Sequence, residues 1–560
     1  MDFVLTLHSH LPWVLHHGRW PHGSDWLCEA AVDTYLPLVI ALEQLEHQGV
    51  AAPLTIGVTP ILANQLAHPD FSRELEAFLA QRLVACDEAV EAFEESGEDT
   101  LIPLVGYWRA RLGRLRRVLR RHDYDLVGAL RRAAEAGRIE LLSSAATHGF
   151  LPLLARDESI RLQLFTGRRE HRRLFGQDPA GCWVPECAYR SAGPWAPLPS
   201  APAQPFRVGI ETHLRAAGFD YFYTDSHMAE AGRSLSLYGE TDFVDGIREP
   251  GEVPPIEVVY PRSPYRAYQL ATSGAPVGIL VRDPVSSLRV WSRHHGFPGD
   301  PGYLEFHKIR WPGGLKLWRV TGLDVDLGGK APYDPNIARA RSHQKAADYL
   351  ALLQSLGGSA KPLGGNLIVA PFDTELFGHW WFEGVDWIGD LYRALGRQRE
   401  VRPVTASEHL AEAPGGRGPA ARQTIALAQG SWGANGDYGM WLNPQTEWTW
   451  ERLWELEERF WNQARQDLPG GPPDRRPAWE QATRELLLAQ SSDWQFIIST
   501  GAAGDYAERR FREHCDALDF LLQGLADGAI EAVTRKAAEL VRLDDPFPDP
   551  LPAVIAALEG

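Results

Sequence analysis

Two apolar runs, each ending at a proline that an acidic residue soon follows, constrain the fold of this chain most strongly. The first is residues 181–189, GCWVPECAY, and the second is residues 366–381, NLIVAPFDTELFGHWW. A short apolar run is typical of a buried strand, and a proline, which has no backbone N–H, ends strand pairing. Glu186 and Asp373 are therefore predicted at strand ends, where a β/α barrel builds its active site. Two such carboxylates, flanked by aromatic residues, indicate glycosidic chemistry.

The charge and composition of the chain narrow the classes of partner. Its 560 residues carry a formal charge of −17, so a nucleic acid is not expected as the ligand. Twenty tryptophans against three methionines are unusual. Several of these tryptophans lie in polar loops that contain glycine, where stacking on sugar rings is a natural role, although packing in the core is the commoner role of a tryptophan.

Cysteine usage and the N-terminus bear on the compartment. The five cysteines are scattered and odd in number, and their spacing matches neither a zinc site nor a disulfide framework. No basic segment precedes the short apolar run at the N-terminus, and no apolar run approaches transmembrane length. We therefore expect a cytoplasmic protein with no membrane partner, no cofactor and no bound metal.

Strand and helix patterns alternate along most of the chain. Seven runs are predicted as strands: residues 3–7, 54–59, 139–145, 182–184, 221–224, 276–281 and 366–370. The alternation predicts an α/β fold, an incomplete (β/α)7 TIM-like barrel. The predicted units are the barrel at 1–60 and 113–412, a helical insertion at 61–112, a mobile loop at 228–262, and an all-helical C-terminal domain at 413–560.

Five motifs, separated along the chain and in one order, carry a resemblance to a known family. They are HSHLP at 8–12, ATHG at 146–149, WVPECAY at 183–189, APFDTELFGHWW at 370–381, and the group GSWG, WLNP and WTW at 430–450. The chain resembles glycoside hydrolase family 57, and the last group is similar to the motif of that family's 1,4-α-glucan branching enzymes. One such motif alone would be a weak indication, whereas five across nearly the whole chain are a strong one.

The resemblance implies an activity and a set of site residues. The activity is retaining cleavage of an α-1,4 glucan such as amylose, amylopectin or a glycogen precursor, with transfer of the segment to a 6-hydroxyl and minor hydrolysis. The implied catalytic residues are Glu186 as nucleophile, Asp373 as general acid/base, and Tyr238 on loop 228–262 as guide of the acceptor. The residues assigned to substrate binding are His10, His148, Arg266, Trp291, Trp432, Trp441 and His379.

Three alternatives remain open at this point. An α-amylase or 4-α-glucanotransferase of the same family would share both carboxylates, although segment 430–450 and Tyr238 argue against it. A metal-dependent carbohydrate deacetylase would use His8 and His10, whose H-x-H spacing puts both on one face of a strand, but no acidic residue neighbours them in the sequence. A noncatalytic glucan-binding or scaffold protein would not need both carboxylates. The protein is expected to be a monomer or a homodimer.

Overall fold

Seven parallel strands form the central sheet of the computed structural model, which describes residues 1–202, 204–232, 260–291, 296–322, 324–411 and 422–560. The strands are β1 (Asp2–Ser9), β2 (Leu54–Val58), β3 (Ile139–Ser144), β4 (Gly181–Trp183), β5 (Tyr221–Thr224), β6 (Val277–Val281) and β7 (Leu367–Asp373). Their order across the sheet is β7-β1-β2-β3-β4-β5-β6. All seven predicted strands are present.

The barrel is incomplete because β6 and β7 form no ladder within the described residues. β6 pairs instead with the short antiparallel strand Tyr268–Leu270, which in turn pairs with Gln423–Thr424. A 2.8 Å hydrogen bond from the backbone N–H of Asp283, just after β6, to the carbonyl of Val369, within β7, spans the gap between the two strands. The prediction of an incomplete (β/α)7 barrel is therefore confirmed. Two smaller pairings complete the strands: Arg402–Pro403 with β1, and the antiparallel hairpin Gly193–Trp195 with Gln204–Arg207.

Helices connect the strands and cover the sheet. They are α1 (Ser24–Ala30), α2 (Leu36–His47), α3 (Pro60–Leu66), α4 (Pro69–Ser96), α5 (Ile102–Arg121), α6 (Leu126–Glu135), α7 (Asp157–Phe175), α8 (Ile210–Ala216), α9 (Pro284–Trp291), α10 (Pro335–Ala360), α11 (Gly384–Leu395) and α12 (Ala406–Ala411). A π-helical turn, Ala31–Tyr35, joins α1 to α2. Short 3-10 turns lie at Asp99–Leu101, Leu151–Leu153, Pro185–Cys187, Phe297–Gly299, Lys361–Leu363, Thr374–Leu376, Ala434–Gly436 and Pro473–Arg475.

The helical insertion after β2 is longer than the sequence indicates. Its two long helices, α4 and α5, pack against each other, and α5 continues to Arg121. The helix continues because an apolar stripe at helical spacing stays buried along its length, namely Leu112, Leu115 and Leu119. The predicted boundary at 112 therefore falls inside a helix.

The C-terminal region is helical apart from one strand and one loop. Its helices are α13 (Glu447–Asp467), α14 (Arg476–Ala489), α15 (Asp493–Thr500), α16 (Gly504–Ala526), α17 (Ile530–Leu540) and α18 (Leu551–Glu559). The prediction of a helical C-terminal domain is confirmed. The two-residue strand Gln423–Thr424, which precedes the helices, extends the edge of the barrel sheet. The indole N–H groups of Trp454 and Trp461 donate to the Leu153 carbonyl and the Ser159 hydroxyl, each at 2.8 Å, and so fix the helices to the barrel.

Among the residues described above, none of the helices combines the length and the apolar character needed to cross a membrane.

Candidate active site

A cleft of about 800 Å³ lies at the carboxyl ends of the barrel strands. Parallel strands in a barrel bring their carboxyl ends to one face, so residues distant in sequence meet there. The strand ends supply polar and charged lining residues, and loop 429–446 and helix α15 supply the opposite wall. The lining includes His8, His10, His148, Glu186, Arg282, Asp373, His379, Trp291, Trp432 and Trp441. Most of the predicted site residues are therefore brought together.

Glu186 leaves β4 in a left-handed backbone conformation. Pro185 ends the strand as predicted, and the turn Pro185–Cys187 holds Glu186 at φ 59° and ψ 20°. For a residue other than glycine this conformation costs of order 1 kcal/mol, so surrounding contacts must maintain it. One of these is a 3.0 Å hydrogen bond from the backbone N–H of Trp432 to the Glu186 carbonyl. The turn places the carboxylate at the cleft.

Both oxygens of the Glu186 carboxylate have donors from the C-terminal region. Oε2 accepts a 2.8 Å hydrogen bond from the indole N–H of Trp432, and Oε1 lies 3.3 Å from the hydroxyl of Ser492. Burial raises the pKa of Glu186 to about 7; the Trp432 hydrogen bond opposes this, and the carboxylate of Asp373 adds to it. Since burial outweighs the indole bond, the pKa of Glu186 lies near neutrality.

Asp373 is the last residue of β7, which continues through Pro371. The prediction that the strand stops at this proline is wrong, because β7 pairs only with β1 among the described strands and its free edge accommodates a residue without an N–H. In the register of the two strands, Asp373 lies beside His8. The acid therefore lies at the edge of the sheet, next to the histidines of β1.

The pKa of Asp373 is raised further than that of Glu186. Burial is the largest cause, Glu375 adds to it, the guanidinium of Arg282 opposes it, and the result is about 8. Arg282 is only 3% exposed, is paired with Asp225 at 3.4 Å, and lies 5.5 Å from the ring centroid of Trp432. Burial therefore raises the pKa of both carboxyls toward neutrality. Such an environment suits a pair in which one carboxyl is ionised while the other still holds a proton.

His8, in β1, and His10, directly after it, are engaged with other side chains. Nε2 of His8 is 3.0 Å from Nε2 of His148, and Nε2 of His10 is 2.9 Å from Oδ2 of Asp493. The sequence shows no acid near the H-x-H pair, but folding brings Asp493 of α15 against it. Groups of three side chains with metal-binding geometry occur elsewhere in the described residues, at His16, His68 and Asp70, and at Glu485, His514 and Asp544.

The predicted aromatic walls differ in exposure. Trp291 and Trp432 are half-buried at the cleft, with ring centroids 6.1 Å apart and planes perpendicular. Trp441 also borders the cleft, but it is 1% exposed and its ring stacks on Phe150 at 4.7 Å. Trp441 therefore supports the wall and offers no open ring face, which corrects its expected role in sugar stacking. His379 lies at the cleft, its backbone N–H bonded to the hydroxyl of Thr34 at 3.1 Å.

Two predicted site residues are not placed at the cleft. Arg266 donates a hydrogen bond to the carbonyl of Leu363, which precedes the amino end of β7. It therefore lies at the opposite end of the barrel, and its assignment to substrate binding is corrected. Tyr238 falls in residues 233–259, outside the part of the chain that the structure describes, so its role stays a prediction.

Sequence reasoning missed five charged residues of the cleft, namely Arg282, Glu305, Lys330, Glu375 and Asp493. Glu375 accepts hydrogen bonds from the Tyr35 hydroxyl at 2.5 Å and from the His10 backbone N–H at 3.2 Å, and burial raises its pKa to about 7. Its spacing of two residues from Asp373 was a usable signal. Arg282 follows a predicted strand end and was also within reach. Asp493 could not be predicted from sequence, because it lies in a helical region whose position over the barrel depends on tertiary packing.

Comparison with known proteins assigns the family. The family model described as glycosyl hydrolase family 57 matches residues 4–417. The chain belongs to this family. A second model, described as 1,4-alpha-glucan branching enzyme, C-terminal, matches residues 451–550. The resemblance inferred from the five motifs is thereby confirmed, and it extends through the helical C-terminal region.

Relatives in the family have the same fold over nearly the whole chain. The chain is 37% identical over 519 residues to a 1,4-alpha-glucan branching enzyme of Thermococcus kodakarensis, covering 91% of this chain and 72% of that protein. A crystal structure of the Thermococcus kodakaraensis branching enzyme, in complex with glucose and additives, superposes with a TM-score of 0.89, at 35% identity over 100% of this chain and 96% of that one.

Two further crystal structures with a similar fold belong to enzymes with different activities. The branching enzyme of Pyrococcus horikoshii gives a TM-score of 0.88 at 34% identity, covering 99% of this chain and 96% of that one. An alpha-amylase of Thermotoga maritima gives a TM-score of 0.78 at 28% identity, covering 98% of this chain and 97% of that one. The fold alone therefore does not separate transfer from hydrolysis.

Proposed function

We propose that this chain is a 1,4-alpha-glucan branching enzyme that works by double displacement at Glu186 and Asp373. The observation that carries the proposal is the meeting of two carboxyls, Glu186 and Asp373, in one cleft between Trp291 and Trp432, where burial raises the pKa of both. The C-terminal region supports transfer over simple hydrolysis, because it matches the branching-enzyme model and supplies the cleft wall around Trp432.

In the first displacement, the Glu186 carboxylate attacks the anomeric carbon of an α-1,4-linked glucosyl unit. Asp373 donates its proton to the glycosidic oxygen, the C1–O4 bond breaks, and the shortened glucan leaves. The product is a β-linked glycosyl ester of Glu186. Retaining pairs of this kind have their carboxyl groups about 5–5.5 Å apart.

In the second displacement, Asp373 acts as base. It takes the proton of a glucan 6-hydroxyl, the hydroxyl oxygen attacks C1 from the α face, and Glu186 leaves as a carboxylate. The new bond is an α-1,6 branch. Water in the acceptor position gives hydrolysis instead, so the walls that exclude it decide the ratio of the two products.

Trp291 and Trp432 form half-buried aromatic walls for α-glucan chains, with His379 as a partner of sugar hydroxyls. Both ring nitrogens of His10 and of His148 have protein partners, so these two histidines support the cleft wall and do not serve the sugar hydroxyls directly. Tyr238 guides the acceptor from loop 228–262. The protein acts in the cytoplasm as a monomer or homodimer. Its cysteines are all free and buried, as suits a reducing compartment.

The branching activity is tested by proton NMR of amylose incubated with the purified protein. We expect new α-1,6 signals that disappear when a debranching enzyme is added afterwards, with little rise in reducing ends before it. The second candidate function, α-amylase activity, rests on the shared fold of the Thermotoga maritima enzyme. Rising reducing ends without an α-1,6 signal would support this second function and overturn branching.

The pH dependence of kcat/KM follows from the two carboxyls. The active form has Glu186 ionised and Asp373 protonated, so activity is lost as pH falls through about 7 and as it rises through about 8. Because the values are close, the carboxyls titrate as a pair and the profile is a narrow bell. Initial rates on amylose at constant ionic strength measure it. A plateau extending far below the pKa of Glu186 would contradict the assignment.

A further inference from the structure

A chain of short contacts connects His8, at the end of β1, to the carboxylate of Glu186. Nε2 of His8 lies 3.0 Å from Nε2 of His148, and Nδ1 of His148 lies 3.0 Å from the hydroxyl oxygen of Ser492. That oxygen is 3.3 Å from Oε1 of Glu186. The backbone N–H of Ser492 also bonds the carbonyl of His148 at 3.2 Å, which fixes the two residues relative to each other.

Both histidines in this series of contacts, His8 and His148, are neutral near pH 7. Burial, with a smaller contribution from the neighbouring His10, holds the pKa of His148 well below its usual value, and the same causes act on the pKa of His8. A neutral imidazole has one N–H donor and one acceptor nitrogen. Each contact in the chain therefore has one donor, and the direction of one contact sets the direction of the rest.

The surroundings of His8 select the direction. Nδ1 of His8 is buried without a hydrogen-bond partner. If this nitrogen carried the proton, an orphan donor would be buried, and the Ser492 hydroxyl would donate to His148 and turn a lone pair toward the Glu186 carboxylate. With the proton on Nε2 of His8, only an acceptor is orphaned, which is the less costly case. His8 then donates to His148, His148 to Ser492, and Ser492 to Glu186.

We propose that Ser492 is a positioning residue for the nucleophile, oriented by His8 and His148 so that its hydroxyl donates to Oε1 of Glu186. This inference rests on the proposed function, in which Glu186 forms the glycosyl-enzyme. Trp432 serves Oε2 in the same way at 2.8 Å. Ser492 is not among the residues that line the cleft in the described chain, so it acts through Glu186 and not through the sugar.

The C-terminal region thereby has a second role, in addition to forming a wall of the cleft. Both donors to the nucleophile, Trp432 and Ser492, come from that region and not from the barrel strands. They stabilise the carboxylate before attack and again as it leaves the glycosyl-enzyme, since a charge-assisted hydrogen bond favours the ionised form. Correct docking of helix α15 on the barrel is thus a condition for an ionised and oriented Glu186.

The test compares Ser492→Ala and Ser492→Cys with the wild-type enzyme on amylose. Loss of a hydrogen bond to a charged group lowers kcat by about tenfold, with little change in KM, and moves the acidic limb of the profile to higher pH. Both variants keep every other ionisable side chain that faces Glu186, namely His10, His148, Asp373 and Asp493, so a shift common to both variants reports the lost hydroxyl. The matched control is Thr500→Ala, since the Thr500 hydroxyl of the same helix bonds only helix carbonyls among the described contacts.

The cysteine variant separates hydrogen bonding from packing. Its thiol fills the space of the 1% exposed Ser492 side chain but is a weak donor, so we expect it to behave like alanine. A cysteine variant with wild-type kcat and an unmoved acidic limb would overturn the inference, as would an alanine variant equal to the Thr500→Ala control. If the wild-type protein forms no α-1,6 linkage, the proposed function fails instead, and the two failures are distinguishable.

Discussion

Replacing Glu186 with glutamine lowers the turnover of amylose by at least about 10³-fold while the protein stays folded. The amide fills the same space and its oxygen still accepts the indole N–H of Trp432, so the cleft keeps its shape. An amide cannot form the glycosyl ester, and the first displacement stops. Steady-state rates on amylose, together with melting temperatures, measure the effect. The matched control is Glu447→Gln, an exposed acid at the start of α13, which should retain wild-type activity.

Azide identifies the face from which Glu186 attacks. In Glu186→Ala, azide enters the space left by the carboxylate and attacks C1 of a maltooligosyl α-fluoride from the β face, while fluoride leaves. The expected product is a β-glycosyl azide, whose formation restores turnover of the fluoride. Recovery of an α-glycosyl azide, or retention of amylose turnover in Glu186→Gln, would show that another group is the nucleophile.

Asp373→Ala is expected to lose about 10²- to 10⁴-fold of amylose turnover, the usual contribution of a general acid. Glycosylation by a maltooligosyl α-fluoride should survive, because fluoride leaves without a proton. Added azide then attacks the glycosyl-enzyme from the α face and gives an α-glycosyl azide, the opposite anomer to that of Glu186→Ala. The basic limb of the pH profile, which reports the raised pKa of Asp373, should disappear.

Glu375 is the matched comparison for Asp373, because it lies two residues away and burial raises its pKa to about 7. Its carboxylate accepts hydrogen bonds from Tyr35 and His10, so it orders the cleft. We expect that neither the fluoride leaving group nor added azide restores any turnover that Glu375→Gln loses. If it did, and Asp373→Ala did not, the acid/base assignment would move to Glu375.

The local part of the site could be predicted from sequence. Glu186 and Asp373 are found by periodicity and proline position, which are properties of a few neighbouring residues. Even there, the strand end at Pro371 was predicted wrongly. A proline ends a strand only if a neighbouring strand needs its backbone N–H, and no described strand lies on that side of Pro371. That is a property of the sheet and not of the run of residues 366–370.

The rest of the site depends on tertiary packing. Asp493 reaches the cleft, and Ser492 reaches the carboxylate of Glu186, only because α15 packs over the barrel, and no local pattern marks either residue. The assignments of Arg266 and Trp441 to substrate binding are wrong because tertiary packing also decides which residues stay away from the cleft. Residue type suggested a role for both, but the fold places Arg266 at the far end of the barrel and buries the ring of Trp441 against Phe150.

The central claim is that Glu186 carries the glycosyl group during transfer. Its most direct test is mass spectrometry of Asp373→Ala after brief reaction with a maltooligosyl α-fluoride, followed by proteolysis and peptide mapping. We predict one maltooligosyl group on the peptide that contains Glu186, and none on the same peptide from the Glu186→Gln, Asp373→Ala double variant. An adduct on another carboxylate such as Glu375, or turnover of the fluoride with inversion and no adduct, would contradict the double-displacement account.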